Sequence, residues 1–200
     1  MPTMPDLLLF DYGGVLLRLN DPLKLFGVGG THAGFARRWL ASPAVRAFET
    51  GRAGTEEFAG RVVAEFGLPY GPAEFIERFD RWPGTVGAAT RALVRALPGS
   101  IDCAILSNTN PRHWERQDIA GDFGGRIGRL FLSYEMGCLK PDLDAFRHVI
   151  DATGVAPASV LFIDDSPVNV AAARRAGLAA RHCPDVDALE GVLRNAGVVA

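Results

Sequence analysis

Short runs of apolar residues, each ending in a polar residue, recur along the chain and predict a buried sheet. The first run, Leu7 to Phe10, is followed by Asp11. The other runs with this pattern are Asp102 to Leu106, Leu130 to Leu132 and Ser159 to Ile163. Ala179 to Cys183 is a weaker candidate for a fifth strand. Continuous apolar runs of this length are typical of strands that are covered on both faces.

Helical patterns separate these runs from about residue 85 onward. The segments are Gly87 to Leu97, Leu143 to Thr153 and Val168 to Ala176, and Gly177 is suited to end the third helix. A further surface helix is predicted over Val186 to Leu193. Because strands that alternate with helices form parallel sheets, the fold class is α/β, with helices on both faces of the sheet.

The segment between the first and second strands has a different pattern. It has no strong strand signal, and its apolar spacing predicts four helices, over His32 to Leu40, Pro43 to Thr50, Thr55 to Phe66 and Pro72 to Arg81. We therefore predict an α/β core formed by residues 1–19 and 83–200, and an all-helical insert, or cap, of residues 20–82.

The composition is that of an ordinary globular domain. Of the 200 residues, 48% are apolar and 22% charged, which is enough to bury a core. The formal charge of −2 offers no basic excess to a nucleic acid, and the apolar run near the N-terminus is too short for a membrane span or a signal peptide. The three cysteines have no metal-ligand spacing. We expect a cytoplasmic protein without disulfides, membrane contact or nucleic-acid partner.

Polar residues that follow the predicted strands form one candidate site. In an open parallel sheet, ligands bind at the carboxyl ends of the strands. The polar residues at those ends are Asp11, Ser107, Asn108, Asp164 and Asp165. Each alone is typical of a turn or a helix cap, but two adjacent aspartates at a buried strand end repel each other unless a cation is near. Lys140 lies in the chain between Asn108 and Asp164.

This set of residues indicates phosphoryl transfer. A carboxylate such as Asp11 can attack phosphorus and form an aspartyl-phosphate, which divides one difficult displacement into two easier ones. Mg²⁺ would reduce the repulsion between carboxylate and phosphate, with Asp11, Asp164 and Asp165 as ligands. Lys140 would add positive charge near the phosphoryl oxygens, and Ser107 and Asn108 would donate hydrogen bonds to them.

Four segments carry a family resemblance: FDYGGVLL, ILSNTN, GCLKPD and FIDDSPVNVAAARRAG. They resemble the ordered motifs of the haloacid dehalogenase (HAD) superfamily of hydrolases, and the resemblance extends over nearly the whole chain. It implies a three-layer Rossmann-like core with strand order 5-4-1-2-3, a helical cap and Mg²⁺-dependent hydrolysis of small phosphate monoesters. Gly13-Gly14 and the stretch from Ser42 to Arg52 are similar to a branch that includes sugar-1-phosphate phosphatases.

Gly13 departs from the phosphatase pattern of this superfamily. Phosphatases that it resembles usually have a second Asp at this position, which protonates the leaving alcohol and later activates water. The backbone carbonyl of Gly13 can still bind Mg²⁺, but the proton must come from elsewhere, for example from the cap, or not be needed. We therefore expect a preference for good leaving groups, such as those of sugar 1-phosphates. General acid–base groups contribute about 10²- to 10⁴-fold.

Two other functions remain open. A metal-free 2-haloacid dehalogenase would also use an Asp nucleophile, but it has little use for the pair Asp164-Asp165. A phosphate-binding regulatory protein with little turnover would explain Gly13, but not the retention of Asp11, Lys140 and the acidic pair. A phosphatase that acts on a small phosphorylated metabolite, as a monomer or homodimer, is the function we favour.

Several other residues have a structural and a functional interpretation. Asn169 could orient the acidic loop or cap the helix that follows, and His113 is expected to be a partly exposed residue at a helix start. Lys140 is expected to project from its loop and to serve chemistry, not folding. The charged residues of the insert that match the branch pattern, expected to be solvated, are Arg46, Glu49 and Arg52. Trp39 and Trp82 are expected to pack within the cap.

Overall fold

The computed structural model describes residues 4–199, and its centre is a sheet of five parallel strands. These strands are β1 (Leu7–Phe10), β4 (Asp102–Ser107), β5 (Arg129–Leu132), β6 (Val160–Asp164) and β7 (Ala179–His182). Their order across the sheet is β5-β4-β1-β6-β7, with β1 paired to β4 on one side and to β6 on the other. The central strand β1 thus brings its carboxyl end next to those of β4 and β6.

Side chains of β1 alternate between two hydrophobic layers. Leu8 and Phe10 belong to the layer that includes Phe123 and Leu193, whereas Leu7 and Leu9 belong to the layer on the other face. Both layers are fully buried, as the continuous apolar run predicts.

Helices cover both faces of the sheet. Those of the core are α6 (Ala88–Arg95), α7 (Pro111–Trp114), α8 (Ile119–Phe123), α9 (Ser133–Met136), α10 (Leu143–Thr153), α11 (Pro167–Arg175) and α12 (Leu189–Asn195), with a 3-10 turn at Pro157–Ser159. The α/β class with a Rossmann-like three-layer core is confirmed. The three longer core helices predicted from the sequence begin and end within two residues of α6, α10 and α11.

Residues 22–79 form five helices with a hydrophobic cluster of their own. The helices are α1 (Pro22–Phe26), α2 (His32–Ala41), α3 (Pro43–Glu49), α4 (Thr55–Phe66) and α5 (Pro72–Phe79). Their cluster is rich in aromatic rings, and Trp39 contacts Trp82 edge to face at 4.7 Å between ring centroids. Pro or Gly at the starts of α3, α4 and α5, and Gly67 in the left-handed conformation after α4, set these boundaries.

A second, two-stranded sheet was not predicted from the sequence. It consists of β2 (Leu17–Leu19) and β3 (Pro83–Val86), which pair antiparallel where the chain leaves the core and returns to it. The strands are too short to carry a periodic signal, so only their pairing defines them. Without them, the five core strands taken in chain order lie in the predicted order 5-4-1-2-3; the labels differ because β2 and β3 come between β1 and β4.

The division into core and cap at residues 19/20 and 82/83 remains a proposal that agrees with the separate hydrophobic clusters. Ion pairs connect the two parts: Arg112 and Arg116 of the core both pair with Asp80 at the end of α5. Within residues 4–199, no helix is both long and apolar enough to cross a membrane.

Candidate active site

The carboxyl ends of β1 and β6 bring three carboxylates together. Asp11 follows β1, Asp164 is the last residue of β6, and Asp165 follows it. One carboxylate oxygen of each lies within 4.8 Å of the others, a spacing that suits a shared metal ion. The register of the parallel pair β1–β6, which aligns Phe10 with Ile163, explains why residues so distant in the sequence meet here.

Lys140 links two of these carboxylates. Its Nζ lies 2.8 Å from Asp11 Oδ1 and 2.8 Å from Asp164 Oδ2, and the side chain is only 1% exposed. The residue is in a loop, as predicted, but it does not project into solvent. The expectation that the side chain projects from the loop is therefore wrong, because its charge is buried between two carboxylates. That Lys140 serves chemistry and not folding stays a prediction, and removal of one partner of a buried ion pair is expected to destabilise the fold.

Asn108 fixes the backbone of Lys140. Its side-chain Oδ1 accepts from the Lys140 N–H at 2.9 Å, and its Nδ2 donates to the Lys140 carbonyl at 2.8 Å. The side-chain amide of Asn108 is therefore engaged with the lysine loop, which leaves the backbone N–H as the other candidate donor of this residue. Ser107 is the buried last residue of β4, and it lines the cavity that opens at the carboxyl ends of the strands.

Asp164 is fully buried and held by several donors. Its oxygens accept from Lys140 Nζ, from the Ser166 N–H at 2.8 Å, and from Asn169 Nδ2 at 3.0 and 3.1 Å. These bonds agree with the first of the two roles considered for Asn169, the orientation of the acidic loop, which stays a prediction. Its own Oδ1 is buried without a partner among the described residues.

Asp165 lies close to the loop that follows β1. A Cβ atom placed on Gly14 would lie 2.5 Å from Asp165 Oδ2, and Gly14 has φ of +89°, so only glycine fits there. The bridge between Gly13 and Leu17 uses the Tyr12 carbonyl and the Gly14 N–H, which leaves the Gly13 carbonyl unused by these bonds. The carboxylates of Asp11 and Asp165 and the Gly13 carbonyl offer the hard oxygen donors that Mg²⁺ prefers.

Burial and the neighbouring charges shift the pKa values of Asp11, Asp165 and Lys140. Burial raises the pKa of Asp11 to about 8, against the effect of Lys140, and burial with the charge of Asp164 raises the pKa of Asp165 to about 6. Burial lowers the pKa of Lys140, but the charges of Asp11 and Asp164 outweigh it and hold that pKa above the usual lysine value. A divalent cation would favour the ionised carboxylates.

A cavity of about 1110 Å³ opens in front of the carboxylates. Core residues at the strand ends, called its floor, and residues of the helical insert, called its wall, line it together. The apolar side chains of that wall include Phe35, Trp39, Leu40, Phe79 and Trp82. Trp39 and Trp82 pack in the insert, as expected, and they also line the cavity.

The insert also contributes one buried carboxyl group. Glu49, the last residue of α3, is 8% exposed and lines the cavity. The expectation that it would be solvated is wrong, since α2 and α3 pack together here and Trp39 Nε1 donates to Glu49 Oε1 at 3.4 Å. Arg46 and Arg52 are more exposed; Arg46 pairs with Asp142, and Arg52 donates to the Gly137 carbonyl.

Two polar residues of the core that line the cavity also have fixed partners. The Tyr12 hydroxyl donates to Gln117 Oε1 at 2.9 Å, and its ring packs edge to face on Trp114, so the side chain is held by partners other than Asp11. His113 lies within α7, 2.9 Å from the Phe79 carbonyl through Nε2, and its ring stacks on Phe79. Burial lowers the pKa of His113 to about 4.

The family is shown by sequence. The sequence model of the haloacid dehalogenase-like hydrolases matches residues 5–177, which include the whole acidic cluster, Lys140 and the insert. The chain therefore belongs to the haloacid dehalogenase-like hydrolase family, as the four motifs predict.

Two curated relatives are phosphatases. A sesquiterpene phosphatase, astK, from Aspergillus oryzae is 28% identical over 182 residues, which are 88% of this chain and 89% of the relative. A D-ribitol-5-phosphate phosphatase from Bacteroides thetaiotaomicron is 31% identical over 83 residues, which are 38% of this chain and 40% of the relative.

Solved structures share the fold. A HAD family enzyme from Bacteroides thetaiotaomicron, in complex with magnesium and inorganic phosphate, has a TM-score of 0.68 at 24% identity, covering 89% of this chain and 93% of that one. The L-2-haloacid dehalogenase of Xanthobacter autotrophicus has a TM-score of 0.61 at 18% identity, covering 98% and 85%. Because both an enzyme with bound phosphate and a dehalogenase share this fold, the fold alone does not select the reaction.

Proposed function

We propose that this hydrolase is a Mg²⁺-dependent phosphatase of small phosphate monoesters that forms an aspartyl-phosphate on Asp11. The observation that carries the proposal is the grouping of Asp11, Asp164 and Asp165 within 4.8 Å, with Lys140 inside the group. The names of the two curated relatives, and the magnesium and phosphate bound by the similar structure, support the same reaction.

Asp11 is the nucleophile in this proposal. It lies at the floor of the cavity, at the end of the central strand, where its Oδ1 contacts Lys140 and accepts from the Tyr12 N–H. Lys140 neutralises part of the charge of an incoming phosphoryl group. The hydroxyl of Ser107 and the backbone N–H of Asn108 donate to the phosphoryl oxygens.

Asp11, Asp165 and the Gly13 carbonyl would hold Mg²⁺, which when bound supplies positive charge to the nucleophile and the phosphoryl oxygens. Asp164 was predicted as a fourth ligand. Since its two oxygens already accept from Lys140, Ser166 and Asn169, we propose that it mainly positions Lys140 and the acidic loop.

The acidic cluster favours this function over both alternatives. A metal-free dehalogenase has no use for Asp165, whose carboxylate lies against Gly14 and beside Asp11. A binding protein without turnover would not need a nucleophile whose Oδ1 contacts a lysine at 2.8 Å. The substrate is therefore a phosphate ester, and the product inorganic phosphate.

Two substrate classes follow from different observations. Sugar 1-phosphates follow from Gly13, because an anomeric leaving group needs less protonation than an ordinary alcohol. Phosphates of apolar alcohols follow from the aromatic wall of the cavity, formed by residues such as Phe35 and Trp39. The name of the relative from Aspergillus oryzae supports the second class.

The test is an assay of the purified protein on an aryl phosphate, before and after removal of metal with EDTA. We expect activity to disappear with EDTA and to return with Mg²⁺, because two ionised carboxylates and a phosphate cannot share the site without a cation. Undiminished activity in EDTA would contradict the proposal. A panel of hexose 1-phosphates and phosphates of long-chain alcohols then separates the two substrate classes by kcat/KM.

A further inference from the structure

The direction of attack decides where a proton donor must lie. In an in-line displacement, the leaving oxygen is on the side of phosphorus opposite the attacking oxygen. Asp11 and residues of the helical insert line the same cavity, so a leaving group on that side of phosphorus can extend toward the insert. A group on the insert is therefore placed to protonate the leaving alcohol, and Gly13 has no side chain for this purpose.

Three carboxyl groups line the cavity outside the acidic cluster: Asp21, Glu49 and Asp185. Asp21 caps α1 through the N–H groups of Leu23 and Lys24, and these bonds and His32 lower its pKa despite burial. Asp185 accepts from two backbone N–H groups of the loop that follows it. The side chains of both groups thus accept hydrogen bonds from neighbouring backbone N–H groups.

The other possible proton donors that line the cavity have partners of their own. On the insert, His32 Nε2 lies 3.0 Å from Asp21 Oδ1. Burial raises the pKa of Tyr12 far above neutrality, and its hydroxyl donates to Gln117. His113 is a neutral ring at neutral pH because burial lowers its pKa to about 4. Lys140 is held by two carboxylates on the floor of the cavity.

Glu49 alone among these groups is suited to gain and lose a proton near neutral pH. Burial raises its pKa to about 7, against the hydrogen bond from Trp39 and the charges of Lys140 and Arg46. Arg46 is itself paired with Asp142, so its charge is partly neutralised. Trp39 holds Oε1, and Oε2 has no hydrogen bond among the described contacts.

We propose that Glu49 is the general acid and base of the reaction, in place of the carboxyl group that Gly13 lacks. This inference rests on the proposed phosphatase function. As the bond from phosphorus to the leaving oxygen breaks and Asp11 bonds to phosphorus, Glu49 gives its proton to the leaving alcohol. Water then attacks the aspartyl-phosphate, its proton passes to Glu49, and inorganic phosphate leaves with Asp11 restored.

The test compares wild type with Glu49→Gln on aryl phosphates of increasing phenol acidity and on an alkyl phosphate. Gln keeps the shape of Glu but cannot supply the proton. We expect a loss of about 10²-fold or more in kcat/KM on the alkyl phosphate and little loss on the most acidic phenol, because only poor leaving groups need protonation. The wild-type decline in kcat/KM on the alkyl phosphate above pH about 7 should be absent in the variant.

Asp21→Asn is the matched control, since it removes a second carboxylate of the same cavity and Asn still caps a helix. It should leave the dependence on leaving group unchanged. An equal loss on all substrates in Glu49→Gln, with a lower Tm, would assign Glu49 to structure and overturn the proposal. Unchanged kinetics would also overturn it. In either case, activity that still requires Asp11 would leave the phosphatase function intact.

A rescue variant tests the same claim in a folded background. Gly13 has no positive φ, and a Cβ placed there would lie 3.4 Å from the nearest Leu19 methyl groups, so Asp fits with small adjustments. Gly13→Asp added to Glu49→Gln should recover about tenfold or more on the alkyl phosphate. A folded double variant no faster than Glu49→Gln would contradict the proposal that Glu49 supplies only a proton.

Discussion

The strand ends of the core and the wall formed by the insert contribute different parts of the site. At the strand ends, Asp11 and Asp164 each lie 2.8 Å from the Nζ of Lys140, which is in a loop. On the insert, Glu49 lies on a helix among aromatic rings and has one long hydrogen bond, from Trp39. The two aspartates are placed by the register of β1 and β6, whereas Glu49 is placed by the packing of helices.

This difference separates two tasks. In the proposed reaction, the charge cluster of the core would suit any phosphate ester, because it would contact only the phosphoryl group and the metal. The insert provides apolar side chains and the buried carboxyl group of Glu49, which the proposal places near the leaving alcohol. Changes in the core should therefore affect all substrates alike, and changes in the insert should affect substrates according to their leaving groups.

The largest effect is expected in the core, from Asp11→Asn. Loss of the nucleophile should lower kcat by about 10⁴-fold or more on every substrate. Asn has the size of Asp, and the second partner of Lys140, Asp164, remains, so the fold should persist. Steady-state assays across the aryl and alkyl series measure the loss; a loss that varied with leaving group would break the comparison between the two regions.

Lys140→Met is expected to affect both activity and stability. Removal of the ammonium group should lower kcat by about 10²-fold or more. Because two buried carboxylates lose their partner, the free energy of unfolding should fall by about 3–5 kcal/mol. Urea unfolding and kinetics on the same preparation measure the two effects. Unchanged stability would instead support the prediction that Lys140 serves chemistry and not folding.

The smallest effect is expected at the connection between the two regions. Asp80→Asn removes the ion pairs with Arg112 and Arg116, which are partly exposed, and should cost about 1 kcal/mol or less, with kcat little changed. Burial raises the pKa of Asp80, but the two arginines outweigh it and lower that pKa. The pairs therefore stabilise the fold at neutral pH and are lost as the pH falls through the lowered pKa.

Glu74→Gln is the control for this variant, because Glu74 pairs with Arg78 inside the insert and connects nothing to the core. Unfolding curves at neutral and acid pH should show a larger change for Asp80→Asn than for the control. Equal changes would mean that the ion pairs do not couple the two regions.

The same comparison explains what could be predicted from the sequence. Asp11, Ser107 and Asp164 follow apolar runs directly, and parallel strands meet at one edge, so their grouping follows from local pattern. Glu49 lies on a short helix whose neighbours come from other helices, so nothing local marks its burial. The burial of Lys140 and the pairing of β2 with β3 likewise depend on contacts between distant segments.

The most direct test of the account is to detect the phosphoryl group on Asp11. Glu49→Gln is mixed with Mg²⁺ and an aryl phosphate, quenched in acid within the first turnovers, and mapped by peptide mass spectrometry. The account predicts a phosphorylated peptide that contains Asp11, more abundant than in wild type and absent in Asp11→Asn, because hydrolysis of the aspartyl-phosphate lacks its base. Product formation with no phosphorylated Asp11 in any sample would contradict it.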